Sequence, residues 1–211
     1  MLEPDPLWQL IRTEAQNAAE REPIMAAFFN AAILQHPSLA QALSANLAEQ
    51  LGDTMLSEGV ISTVITDALA QEPTILDAVR SDILACFERD PACQTHFMPM
   101  LYFKGFQALQ LYRVAHWLWL QERKMLALFF QSKISAVFTV DIHPGARLGS
   151  GIMIDHATGV VIGETAIVGN NVSILHSVTL GGTGKEDDDR HPKIGDGVLI
   201  GAGAHVLGNI K

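Results

Sequence analysis

Cysteine is scarce: Cys86 and Cys93 are the only two in 211 residues, and both fall in one acidic, helical stretch. A disulfide framework is therefore not expected, and a reducing cytoplasm is the simplest setting for two packing thiols. Basic residues are also few. Lys plus Arg number 14 against 23 Asp plus Glu, a net charge of −9, which argues against a nucleic-acid partner. No long uncharged apolar run exists, so no membrane span is expected. The nearest candidate, Trp117 to Phe130, is interrupted by Glu122, Arg123 and Lys124. The acidic start, Met1 to Asp5, lacks a signal-peptide pattern. What is present is a hydrophobic content of 48% with 18% charged residues, the balance of a chain with a substantial core.

The first part of the chain reads as helices. Leu7, Ile11 and Ala15 mark one apolar face. Pro23 opens a second segment, Ile24 to Leu34, and Ser38 is placed to cap a third, Leu39 to Leu51. Gly52-Asp53-Thr54 and Gly59 punctuate the following piece. Glu72-Pro73-Thr74 opens a helix through Phe87, and Asp90-Pro91 ends or redirects it. Gly105 to Gln121 is apolar and aromatic, a buried packing helix rather than a cofactor box. Met125 to Phe138 continues the helical region.

Near Val140 the composition changes. Glycine becomes frequent, and aliphatic residues recur every six positions. They stand at Ile142, Leu148 and Ile154, then at Ile162, Val168, Ile174 and Leu180, then at Ile194, Ile200 and Val206. A second small or apolar residue follows four places later: Ala146, Ile152, Ala166, Val172, Val178, Val198, Ala204 and Ile210. Neither helix nor simple strand periodicity gives this pattern. It predicts a hexapeptide β-helix, in which three repeats make one triangular coil around an apolar core. The period breaks twice. Two extra residues fall within Asp155 to Val161, and eight form a loop between Leu180 and Ile194. With these insertions counted, His156, His176 and Ala202 stack in one outward-facing column, with both insertions beside it.

Three features carry candidate chemistry. His156 stands in an insertion at an outward position, and an imidazole with its ordinary pKa of about 6.5 is suited to general-base work. A bare surface histidine is the competing reading. His176 is expected beside it, tuning the ring or lining a wall. Asp141 lies one coil earlier, where a carboxylate fixes the tautomer of a base histidine if the two meet, and is otherwise a turn residue. Arg190-His191 closes the acid-rich loop, and a guanidinium beside an imidazole suits a substrate carboxylate. Thr179 to Gly184 lacks the lysine-bearing end of a phosphate loop. Its glycines instead permit close approach of a ligand to the backbone.

These segments together resemble serine acetyltransferase, a hexapeptide-repeat acyltransferase. The resemblance rests on Asp90-Pro91, Tyr102-Phe103-Lys104-Gly105-Phe106, His116-Trp117-Leu118-Trp119 and Val140-Asp141-Ile142-His143-Pro144. It continues through Asp155-His156-Ala157-Thr158-Gly159, Ser177 to Lys185 and Arg190-His191-Pro192-Lys193-Ile194. It implies an α+β chain: an all-α oligomerisation domain over residues 1–139, then a left-handed parallel β-helix over 140–211. It also implies homotrimers, or dimers of trimers, with each site formed between neighbouring subunits. The reaction it implies is acetyl transfer from the co-substrate acetyl-CoA to the hydroxyl of L-serine, opening cysteine biosynthesis, without a metal. L-cysteine would be a feedback inhibitor. Carried over residue by residue, His156 is the general base and Asp141 its partner. Asp90 and Asp155 hold the substrate ammonium, and Arg190 and His191 its carboxylate. Gly182, Thr183 and Ala202 line the CoA channel.

The sequence departs from this pattern at its end, because Lys211 falls within a repeat where family members continue through further coils and a tail. The expected consequences are weaker acetyl-CoA binding and loss of the tail-mediated complex with O-acetylserine sulfhydrylase. The alternatives are a non-catalytic or weakly active truncated subunit, and another hexapeptide-repeat acyltransferase acting on a sugar or xenobiotic. A metal-dependent β-helix enzyme is disfavoured by the lack of a histidine pair five residues apart.

Overall fold

The computed structural model describes residues 5–184 and 187–211; Met1–Pro4 of the acidic start, and Lys185 and Glu186 of the acid-rich loop, lie outside the described residues. Helix α1, Pro6–Arg21, starts where the Asp5 carboxylate accepts the Trp8 N–H at 3.2 Å. It buries Trp8, Ile11 and Ala15. The next segment departs from the expected single helix. It runs as a 3-10 turn, Pro23–Met25, a short α2, Ala26–Phe29, and a π turn, Asn30–Leu34. The wide turn brings Phe29, Ala32 and Ile33 together into the core. It also leaves the Ala32 carbonyl to accept the Asn46 amide at 2.8 Å. That carbonyl is satisfied from outside its own helix, which offsets the lost regular bond.

Helix α3, Leu39–Leu51, has the expected bounds, with Ser38 accepting from the Gln41 N–H. Helix α4, Glu58–Gln71, contains Gly59 in its first turn rather than breaking there. Helix α5, Pro73–Arg89, stops at Asp90, whose extended backbone (φ −102°, ψ 108°) is what Pro91 requires. Then follow α6, Met98–Tyr102, α7, Lys104–Leu120, and α8, Lys124–Phe138. Helix α7 is buried on nearly all sides. Thr139, left-handed at φ 59°, ends α8 and turns the chain into the first strand.

Short strands then wind into a parallel β-helix. The first coil holds β1 (Val140–Ile142), β2 (Arg147–Leu148) and β3 (Met153–Ile154). The second holds β4 (Val160–Ile162), β5 (Ile167–Val168) and β6 (Ser173–Ile174). The third holds β7 (Thr179–Gly181), β8 (Lys193–Ile194) and β9 (Leu199–Ile200), and β10 (His205–Leu207) begins a fourth. Every pairing is parallel, in three sheets ordered β1-β4-β7-β10, β2-β5-β8 and β3-β6-β9: the β-helix that the repeat predicts, with the left hand that the resemblance implies. Ile142 lies opposite Ile162 and Val168 opposite Ile194, so the insertions fall where the broken period puts them. Ala146, Ile152, Ala166, Val172 and Val178 are fully buried. Val198 and Ile210 are exceptions among the expected interior positions, at 37% and 52% exposed. They belong to the last coils, over which no strand of the described residues stacks.

The other end of the β-helix is covered. The carbonyls of the first coil have no earlier coil to pair with, and bare strand edges are costly and adhesive. Helices α5 and α7 supply the missing donors. Tyr112 donates to Ala146 at 2.5 Å, His116 Nδ1 to Pro144 at 2.7 Å, Arg113 to Gly149 at 2.9 Å and Arg89 to Gly151 at 3.0 Å. Conversely, the Ile152 N–H donates to Asp82 Oδ1 at 2.8 Å. Asp82 is fully buried and pairs with Arg113 at 2.7 Å, with Gln110 donating at 3.0 Å. Burial pushes the Asp82 carboxyl upward, and Arg113 opposes that shift. This ion pair was not visible as such in the sequence, where α7 reads simply as apolar.

Candidate active site

Two clefts hold the candidate residues, at opposite corners of the sheet β1-β4-β7-β10. The first lies where the helical region meets the corner after β3. A cavity of about 370 Å³ there is lined by Asp90, Tyr102, Lys104, Asp155 and His156, among others. Helix α7 comes close to the coil because its second residue is glycine. A Cβ on Gly105 would sit 2.1 Å from the Ile154 carbonyl oxygen. One Asp90 oxygen accepts the Ala92 N–H at 2.8 Å, which holds the carboxylate against the cleft.

His156 and Ala157 both take left-handed backbone conformations, at φ 57° and 60°. Two such residues in succession throw the imidazole outward, and its side chain is 73% exposed. Its Nε2 lies 3.6 Å from Asp155 Oδ2. The expected column is present: the rings of His156 and His176 meet edge to face at 5.9 Å. Ile174 pairs with Ile200, which places Ala202 beside His176 on the next coil. Asp141 lies on β1 and accepts from Gln131 Nε2 at 2.7 Å. Among the described residues no hydrogen bond or ion pair joins Asp141 to His156.

The sequence did not single out the rest of this wall. Lys104 reaches across it, donating to Thr158 Oγ1 at 2.5 Å and to Thr139 Oγ1 at 3.3 Å. Cys86 lines the back. Burial, then the charge of Asp82, pushes its thiol far above the ordinary range, so it serves as a neutral wall and not as a nucleophile. Glycine at the start of an apolar helix, in Lys104-Gly105, was the one available signal of close packing.

The second cleft, about 470 Å³, lies under the eight-residue loop and is lined by Glu164, Gly182, Gly184, Asp187, Arg190 and His191. Arg190 is bound by Glu164 at 2.7 Å and donates to the carbonyls of Asp187 and Asp188. The Arg190 hydrogen bond holds the Glu164 carboxyl below the usual carboxylate range. His191 is buried against Gly163, where a Cβ would approach its Nε2 to 1.9 Å. Burial lowers the His191 pKa, and Arg190 and Lys193 lower it further. Nearby His143 is likewise lowered by burial. Gly182 lines this cleft, and the exposed Thr183 lies against Gly208. Within one chain, then, Asp90, Asp155 and His156 share one cleft, whereas Arg190, His191 and Gly182 share the other. Glu164 and Thr165 were missed in the sequence; they stand at an ordinary repeat corner, and nothing in the period distinguishes them.

The chain matches known proteins over nearly its whole length. Residues 7–111 match the family described as serine acetyltransferase, N-terminal. A serine acetyltransferase of Haemophilus influenzae is 52% identical over 97% of this chain and 77% of its own length. A serine acetyltransferase of Neisseria gonorrhoeae, solved in complex with serine, superposes with a TM-score of 0.94 at 50% identity, over 99% of this chain and 86% of that one. One from Brucella abortus, solved in complex with coenzyme A, gives 0.95 at 51% identity, over 98% and 83%.

Proposed function

The chain belongs to the serine acetyltransferase family, and from that premise we propose that it transfers the acetyl group of acetyl-CoA to the hydroxyl of L-serine, with His156 as the general base. The observation that carries this reading is the meeting of Asp90, Asp155 and His156 in one cleft, from segments far apart in the chain. Two carboxylates beside an imidazole suit a substrate that carries an ammonium next to a hydroxyl.

His156 removes the hydroxyl proton as the serine oxygen attacks the thioester carbonyl. Base catalysis of this kind contributes about 10²–10⁴-fold. The tetrahedral intermediate then expels the CoA thiolate, which takes back the proton held on the imidazolium. A thiolate is a good leaving group, so the step needs no further electrophile. Asp90 and Asp155 hold the ammonium, and Arg190 and His191 hold the carboxylate.

In one chain those two pairs lie at different corners of the same sheet, which supports a site assembled from neighbouring copies. The loop corner of one copy would then face the His156 corner of the next. Gly182, Thr183 and Ala202 would be divided in the same way along the CoA channel. Asp141, engaged by Gln131 within the chain, is assigned the orienting of the imidazole in that assembly. L-cysteine differs from serine only at the reacting atom, so it competes for this site. The test is release of CoA thiol from acetyl-CoA with and without L-serine, for the protein and for His156→Ala. Serine-dependent release that disappears in the variant supports the assignment, and undiminished release in the variant defeats it.

A further inference from the structure

The loop that carries Arg190 and His191 is pinned to the coil at Thr165, on the corner after β4. The Thr165 hydroxyl oxygen accepts the Arg190 N–H at 3.0 Å and the His191 N–H at 3.1 Å. It also lies 2.8 Å from His191 Nδ1. Two accepted bonds use its lone pairs, and its single hydrogen remains for Nδ1 or for the nearby Asp189 carboxylate. The Thr165 backbone N–H settles the ring. It lies 3.2 Å from the same Nδ1, and an amide N–H can only donate. Nδ1 must therefore be an acceptor, whichever way the hydroxyl turns. A neutral imidazole with an accepting Nδ1 carries its proton on Nε2. Among the described residues no group accepts from Nε2, on the ring edge packed against Gly163, and His191 lines the same cleft as Arg190, so that N–H is the ring's one donor left for a ligand there. Glu164 fixes the guanidinium from the adjoining position at 2.7 Å.

We propose that Thr165 is the positioning residue of this anion clamp: it fixes the loop base through two backbone N–H groups and presents His191 as a neutral Nε2–H donor. His191 then binds a substrate carboxylate by donation and takes no part in proton transfer. The role rests on the assignment of Arg190 and His191 to the serine carboxylate.

Two variants and one spectrum test it. Thr165→Val keeps the shape but removes the acceptor, leaving two part-buried N–H groups without it, so the serine KM rises about tenfold while the acetyl-CoA KM is unchanged. Thr165→Ser restores the hydroxyl and returns the serine KM to within about twofold. Nitrogen-15 NMR of the His191 ring in the ligand-free protein, assigned with His191→Gln, shows an unprotonated Nδ1 and a protonated Nε2. A protonated Nδ1 in the unsubstituted protein overturns the proposal, as does a Thr165→Val serine KM equal to wild type. Failure of Thr165→Ser to rescue also overturns it. The spectrum is read without substrate, so it decides the tautomer even if serine-dependent turnover is absent. That absence would instead overturn the substrate assignment.

Discussion

The two clefts are built by opposite means. The junction cleft around His156 joins segments distant in sequence, and it exists only while α5 and α7 stay docked on the first coil. The loop cleft around Arg190 is made by one insertion folded back onto the neighbouring coil, through Glu164 and Thr165. The first has an outward imidazole whose ring meets only His176, edge to face at 5.9 Å, and Asp155 at 3.6 Å among the contacts of the described residues. The second has its cationic and imidazole groups tied in place, as a binding clamp requires. The proposed roles thus put proton transfer and ammonium binding at one corner of the sheet and carboxylate binding at the other.

That division breaks most sharply at His156. His156→Ala should lower kcat by about 10²–10⁴-fold with a smaller change in serine KM, measured by thiol release. A change confined to KM would move the chemistry out of the junction cleft. The docking of the helices comes next. Arg113→Met leaves the Asp82 carboxylate buried without its cation and the Gly149 carbonyl without its donor. It should cost about 3–5 kcal/mol in urea unfolding. A loss under about 1 kcal/mol would mean that this pair does not hold the junction together.

The loop cleft answers to a different measurement. Arg190→Lys removes planar, two-pronged recognition, so serine KM should rise about 10–100-fold while kcat changes little. Equal loss in kcat and kcat/KM would show that Arg190 acts in the transition state instead. The smallest effect concerns pH. Glu164 is held below its ordinary value of 4.5 by the Arg190 hydrogen bond. Its stabilising contribution is therefore full above that value and is lost as pH falls through the lower, folded one. Its side chain is 38% exposed, so the contribution is small. The thermal midpoints of the protein and of Glu164→Gln should differ slightly at neutral pH and converge in acid. A gap that widens in acid would contradict the sign.

The regions also differ in how legible they were. Leu39–Leu51 was readable because Ser38 is a local cap, and α5 ended where Pro91 forbids helix. The Asn30–Leu34 π turn was not, since it answers to Asn46 from another helix. The coil was the most legible part. The His156–His176 contact followed from counting, because a six-residue repeat assigns every position a place on the triangle. Buried Asp82 and Arg113 were invisible, because a helix that is apolar nearly all round gives no sign of which polar residue it turns inward.

By itself, then, the sequence determined the coil, its two insertions, the column that carries His156, and the family to which the chain belongs. Those follow from period and from local motifs, which do not depend on distant neighbours. The tertiary structure alone decided that Asp90 and His156 share a cleft, that helix side chains complete the open edge of the first coil, and that Thr165 lies against Nδ1 of His191. Each is a contact between segments whose spacing along the chain carries no period. It is fixed by which unpaired backbone groups and buried charges must find partners when the helices dock and the loop folds back.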